Sequence, residues 1–126
     1  MTASMNKKIK LILIGGSHWG VEAVLQIMSS LKPDFKIPIV ILMHQLKNSV
    51  SVMSEIIQHR TKLKVTEPLD KETIANQQIY VAPPDYHLLI EQDGTFSYSF
   101  SEPINYSRPS IDALFESAAD SFGEQL

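Results

Sequence analysis

The sequence predicts an α/β domain: a doubly wound, mostly parallel sheet carrying one antiparallel hairpin. Three observations predict it. Two apolar runs rich in β-branched residues, at Ile9–Ile14 and Ile37–Met43, are each followed by a helical stripe of apolar residues. That alternation of strand and helix implies parallel strands joined by right-handed crossovers. Later, "HLLIEQDGTFSYSF" places Asp93-Gly94 between two short strand-like runs, the pattern of a hairpin.

Each element has its own warrant. Ile9–Ile14 is a near-continuous apolar run, as expected of a strand buried on both faces. Val21, Val24, Leu25, Met28 and Leu31 then form one helical face, which Lys32-Pro33 ends. The second strand, "IPIVILM", has Pro38 near its start, where proline is tolerated. Val52, Met53, Ile56 and Ile57 make a second helical stripe, with Asn48 or Ser49 placed to cap it. "KLKVTEPL" and "QQIYVAPP" read as short strands, the latter stopped by Pro83-Pro84. "RPSIDALFESAADSF" reads as a helix with Pro109 in its first turn and Ile111, Leu114, Phe115, Ala118, Ala119 and Phe122 on its apolar face. A parallel α/β domain usually adds a strand after such a helix. The chain ends four residues later, so the reading is of a fragment or of an unusually small sheet.

Composition bounds the function. The 126 residues suffice for one domain with a real core, read as 1–126 with residues 1–6 as a flexible tail. Hydrophobic residues make up 44% and charged residues 20%, which is a globular composition. A formal charge of −3 supplies no basic field for nucleic acid or an anionic membrane. The chain has no cysteine, which excludes disulfide and thiolate chemistry and fits the cytoplasm. The apolar run after Lys7 and Lys8 is shorter than a signal-peptide core, and no segment approaches the roughly 20 apolar residues of a membrane span.

The chemistry concentrates at "KLILIGGSHWGVEAV". Ser17 stands just past the first strand, on a glycine-permitted turn into a helix. One reading is punctuation, in which the glycines allow the turn and the serine caps the helix. The other is presentation of a nucleophile. His44 stands just past the second strand, in "VILMHQ", after seven apolar residues. Ligands of parallel sheets sit beyond the carboxyl ends of the strands. Adjacent parallel strands would bring both side chains to one edge, where an imidazole can take the serine proton. Backbone N–H groups near His18 and Trp19 could then receive an oxyanion. The loop lacks the lysine of a P-loop, and the dinucleotide fingerprint's spacing and acid are missing. His18 and His44 lack a third metal ligand nearby.

Four stretches together resemble the catalytic domain of the CheB-type chemotaxis protein-glutamate methylesterases. "IGGSHWGVEA" resembles that family's I-G-x-S-x-G-G-x-x-A turn, and "VILMHQ" its histidine-bearing strand. "EPLDKETIANQQIYVAPPDYHLLI" resembles E-x-x-D-G-x-x-x-x-P-G-x-x-Y-x-A-P-x-x-x-H, and "INYSRPSIDALFESAA" resembles V-N-x-x-R-P-S-x-D-x-L-F-x-S-A. The resemblance implies a doubly wound α/β fold that hydrolyses glutamate methyl esters on methyl-accepting chemoreceptors, and often deamidates receptor glutamines, without a metal or organic cofactor. It implies Ser17 as nucleophile, His44 as general base and then acid, and the His18 N–H in the oxyanion pocket, with Trp19 lining it. His87, Asn105 and Arg108 match positions near the substrate edge; Arg108 would meet receptor carboxylates or hold a loop. Asp112 matches a helix-start position and reads as a first-turn acid satisfying the helix dipole. His59 reads as a solvated residue at the end of helix two.

Departures accompany the match. The family's triad aspartate lies in a later loop, so the chain spans the amino-terminal two-thirds of the family domain and holds no residue for that role. Such a piece is expected to be weak or inactive alone. Trp19 stands where the family has glycine, and Lys71, Asn76 and Pro84 stand where it often has glycine, proline and glycine. The alternative to an esterase is a catalytically degenerate module of the same fold that binds a receptor or signalling partner. A truncated sheet would also favour homo-oligomers.

Overall fold

The computed structural model describes residues 8–17, 20–44, 52–100 and 109–126. Its parallel sheet contains β1 (Ile12–Gly16), β2 (Ile39–Met43), β3 (Lys64–Thr66) and β4 (Gln78–Val81), in the order β1-β2-β4-β3. Helix α1 (Val21–Ser30) joins β1 to β2, and α2 (Met53–Gln58) lies between β2 and β3. The hairpin β5 (His87–Ile90) and β6 (Phe96–Ser99) forms a second sheet of its own. Helix α3 (Ile111–Phe122) and a short 3₁₀ turn, Gly123–Gln125, follow. The α/β class and the mostly parallel sheet therefore stand as expected.

Side-chain alternation along the strands builds two cores. Ile39, Ile41, Met43, Ile79 and Val81 face α1 and α2, where they meet Val24, Leu25, Met28, Met53 and Ile57. Val40, Leu42, Tyr80 and Ala82 face the opposite way, onto Leu88, Ile90, Phe96, Leu114 and Ala118 of the hairpin and α3. The result is three layers, with the parallel sheet in the middle. All five residues of β2 are buried because it lies inside the sheet with both faces covered.

Several expectations shift. The first strand begins at Ile12 rather than Ile9 and runs through both glycines. Ile9 is exposed, and Ile12, Leu13 and Ile14 are only half-buried. The reason is position: among the described strands β1 is an edge, with β2 on one side. In α2 only Met53 and Ile57 are buried, and the helix starts after Val52 with no side-chain cap; Asn48 and Ser49 lie outside the described residues. Pro109 falls before the cap of α3, not in its first turn. Ser110 is the cap and its Oγ accepts from the Ala113 N–H at 3.2 Å. Phe115 and Ala119 are exposed. His59 closes α2 in solvent, and Asp112 lies in the first turn of α3, both as expected.

Helix α3 does not wait for a further strand to cover. Ser117 Oγ accepts from the Ile90 N–H at 3.0 Å and Ser121 Oγ donates to the Ile90 carbonyl at 3.0 Å, which pins the helix to the hairpin. Its far end returns to β1, where the Gln125 carbonyl accepts from the Lys10 N–H at 2.7 Å. The hairpin turn is the expected one: Gly94 has φ 81° and donates to the Glu91 carbonyl. Among the described residues no helix is long and apolar enough to cross a membrane.

Lys71 and Gln77 have φ of 68° and 58°, a left-handed conformation that favours glycine. Both fall at glycine positions of the long motif in residues 67–87, so the backbone keeps the turns that the side chains have left. Each is tied down: the Lys71 N–H donates to the Phe96 carbonyl at 2.7 Å, and the Gln77 N–H to the Lys36 carbonyl at 2.9 Å. The left-handed cost of a side chain is about 1–2 kcal/mol, partly offset by the entropy of a glycine in the unfolded chain. Lys71→Gly is expected to raise stability by about 0.5–1 kcal/mol, read as a higher urea midpoint at unchanged m value.

Candidate active site

Register sets Ser17 and His44 next along adjacent strands. In the parallel ladder Gly16 pairs with Met43, and the His44 N–H donates to the Gly16 carbonyl at 2.8 Å. The next pair in that register is Ser17 and His44. Strand neighbours lie about 4.8 Å apart, so the two Cα atoms are adjacent at the carboxyl edge. Alternation gives them the same face. Gly15 lies against Ile111 of α3, and Leu42 packs into the core beneath the hairpin. Ser17 and His44, two residues further on, continue those rows.

Local chemistry follows from the turn. The Gly20 N–H donates to the Ser17 carbonyl at 2.8 Å, which closes a tight turn before α1. Gly20, not Ser17, precedes the helix, and no side chain caps it. The Ser17 side chain is exposed and is not the cap of α1. Gly15 is needed for approach, since a Cβ there would lie 2.9 Å from Ile111 Cγ2; one on Gly16 would lie 3.2 Å from Met43 Cε, the end of a flexible side chain. His44 is half-buried, and its Nε2 is shielded from solvent without a hydrogen-bond partner among the described residues. The Ser17 hydroxyl, at the end of the neighbouring strand, is not hydrogen-bonded to it.

The other candidates divide. His87 is 1% exposed at the start of β5, on the same edge, because the chain leaves β4 at Val81, turns through Pro83 and Pro84 and starts the hairpin there. His18, Trp19, Asn105 and Arg108 lie outside the described residues. Among the described residues no three His, Asp, Glu or Cys side chains gather as metal ligands.

One feature of this edge was missed in the sequence. Tyr86, Tyr98 and Phe100 form an aromatic group: Tyr86 lies edge-on to Tyr98 at 6.1 Å and to Phe100 at 4.7 Å between ring centroids. The signal was the alternation Phe96, Tyr98, Phe100 in "FSYSF", which puts three rings on one face of β6. Phe96 is buried, while Phe100 is 72% exposed. The Tyr98 hydroxyl donates to the Pro68 carbonyl. Burial, then the carboxylates of Glu67, Glu72 and Asp70, push its pKa well above the ordinary tyrosine value. A folded-state pKa above the unfolded one means the folded state holds the proton longer. Stability is therefore full below about pH 10 and falls as pH rises beyond it. Tyr98→Phe is expected to flatten that alkaline decline, measured as the urea midpoint between pH 9 and 11.

Comparison with known proteins bears on the family and the fold. The family model described as CheB methylesterase matches residues 12–126. A relative from Leptospira interrogans, provisionally named protein-glutamate methylesterase/protein-glutamine glutaminase, is 44% identical over 115 residues, which cover 91% of this chain and 60% of the relative. A protein-glutamate methylesterase/protein-glutamine glutaminase from Maricaulis maris is 32% identical over 114 residues, covering 88% of this chain and 28% of the relative. The crystal structure of the Thermotoga maritima CheB methylesterase catalytic domain superposes with a TM-score of 0.83 at 28% identity, over 93% of this chain and 64% of that one. The chain thus spans at most about 60% of the length of these two curated relatives.

Proposed function

The chain belongs to the CheB methylesterase family, and on that premise we propose that the protein hydrolyses γ-methyl esters of glutamate side chains on chemoreceptors, and deamidates glutamines there, in the cytoplasm. The observation that supports this reading is the register of β1 with β2, in which Gly16 pairs with Met43 and the His44 N–H donates to the Gly16 carbonyl, so that Ser17 and His44 come next on adjacent strands.

Each step balances on these groups. Ser17 Oγ attacks the ester carbonyl carbon as His44 Nε2 takes the hydroxyl proton. The tetrahedral oxyanion is received near the start of α1, with the His18 N–H as the donor implied by the family motif. The C–O bond to the methoxy group breaks, and the imidazolium returns the proton to methoxide, which leaves as methanol. Water, deprotonated by the same imidazole, then attacks the acyl-serine. It frees the glutamate carboxylate and restores the hydroxyl. Glutamine would follow the same path with ammonia leaving.

Covalent labelling tests the proposal. A fluorophosphonate probe should mark Ser17, located by peptide mass spectrometry, and labelling should fall at least about tenfold in His44→Ala. A protein that hydrolyses the ester but is never labelled at Ser17 would overturn the assignment.

A further inference from the structure

We propose that a cleft at the amino edge of the parallel sheet, bordered by Lys8, Lys10 and Lys36, binds a phosphorylated small molecule of the nucleotide class. The inference stands apart from the esterase reading and concerns the opposite end of the strands.

Topology sets the place. Parallel strands all begin at one edge. There Lys10 precedes β1, Ile37 and Pro38 precede β2, and residues 73–76 precede β4. The cleft lies among these entries and has a volume of about 630 Å³, the size of a small-molecule site. Strand β1 is five residues long, so roughly 16 Å of strand separates this edge from Ser17.

The walls are held in place. The Lys10 N–H donates to the Gln125 carbonyl at 2.7 Å, which ties the entry of β1 to the turn after α3. The Ile74 N–H donates to the Gly94 carbonyl at 2.9 Å and Thr73 bridges to Thr95, so the hairpin turn closes one side. Lys36 and Gln77 bond reciprocally: the Gln77 N–H donates to the Lys36 carbonyl at 2.9 Å, and Lys36 Nζ donates to Gln77 Oε1 at 3.1 Å. The Lys36 ammonium is thus positioned by a residue in left-handed backbone, at φ 58°. The glycine of the family motif at that position has no side chain to do this. Asn76 likewise gives the cleft an amide where the motif has proline.

The chemistry of the lining selects the ligand. Among the described residues, none that lines the cleft is acidic. Two acids next to it in sequence are engaged: Glu72 Oε1 accepts from the Leu69 N–H at 2.9 Å, and Asp93 Oδ1 from the Thr95 N–H and hydroxyl at 3.1 and 2.6 Å. Three ammonium groups exceed the charge of a single carboxylate and suit a phosphate chain, which lysine binds as a point charge. The Asn76 amide and Thr73 hydroxyl add uncharged donors. The remaining lining is apolar. Ile9, 43% exposed at the head of its apolar run, and Phe122, half-buried at the end of α3, face the same space. A polyanion joined to a flat apolar ring covers both halves, whereas a bare polyphosphate leaves Ile9 and Phe122 uncovered.

A fluorescent N-methylanthraniloyl derivative of ATP, titrated with the full chain and read by anisotropy, tests this. Saturable binding is expected, with Kd raised about tenfold or more in Lys8→Gln/Lys10→Gln, because each lost charge weakens the hold on the phosphates. Gln77→Gly should weaken binding while leaving the urea midpoint unchanged or higher, which separates positioning of Lys36 from stability. Ile9→Asp, at an exposed position, should abolish binding with the urea midpoint unchanged. Lys62→Gln/Lys64→Gln, outside the cleft, should bind as wild type. Unlabelled ATP should displace the probe at least about tenfold better than inorganic triphosphate, since only ATP carries a ring for the apolar half. Lack of saturable binding would overturn the site. So would an equal loss in Lys62→Gln/Lys64→Gln, the mark of diffuse charge attraction. Displacement by triphosphate as well as by ATP, or by a glutamate-rich peptide better than by ATP, would overturn the nucleotide class.

Discussion

In a chain of the full family length, Ser17→Ala is expected to lower methanol release from an esterified protein substrate by at least about 10³-fold, and His44→Ala by a comparable factor, with the double variant little worse than either. The non-additivity is the diagnostic. In the proposed mechanism serine and imidazole form one proton-transfer unit, so removing either would remove the step. Stability should move the other way. His44 Nε2 is buried with no hydrogen-bond partner among the described residues, and such a group costs about 1–3 kcal/mol of desolvation. His44→Leu is therefore expected to abolish activity while leaving the melting temperature unchanged or higher. A residue retained for packing would do the reverse: its loss would lower the melting temperature and spare turnover.

Phe96→Ala is expected to cost about 3–5 kcal/mol, most of the stability of many single domains, and to be seen as loss of the cooperative urea transition near room temperature. Phe96 is fully buried and lies 4.7 Å from the Tyr80 ring between centroids, at the junction of hairpin and sheet. Its backbone also serves the preceding loop, accepting from the Lys71 N–H and donating to the Glu72 carbonyl at 2.9 Å. Truncation thus opens a cavity where the hairpin layer meets the parallel sheet. Phe96→Leu, which keeps most of the volume, should cost less than half as much and show the same transition at a lower midpoint. The hairpin covers the face of the parallel sheet that carries Val40, Leu42, Tyr80 and Ala82.

Local sequence determined a good deal here. Apolar runs and stripes set two strands and two helices, because a buried strand and an amphipathic helix demand those periods. Asp93-Gly94 set the hairpin turn, because only a residue such as glycine takes φ 81° without cost. The serine turn and the histidine-bearing strand were legible as a pair, since both stand where a parallel sheet presents its ligands. The family was legible from four motifs.

Tertiary structure decided the rest, for reasons no window of sequence holds. An apolar run does not say whether its strand is central or an edge; pairing does, and it left β1 half-buried while β2 is enclosed. A helix in the sequence does not say what it covers; the hydrogen bonds from the Ile90 N–H to Ser117 Oγ and from Ser121 Oγ to the Ile90 carbonyl gave α3 the hairpin. Left-handed backbone at Lys71 and Gln77 is invisible in residues that ordinarily avoid it. The sequence named Ser17 and His44, but their shared face came from register: Gly16 had to pair with Met43, since a slip of one residue would turn the imidazole to the other side of the sheet.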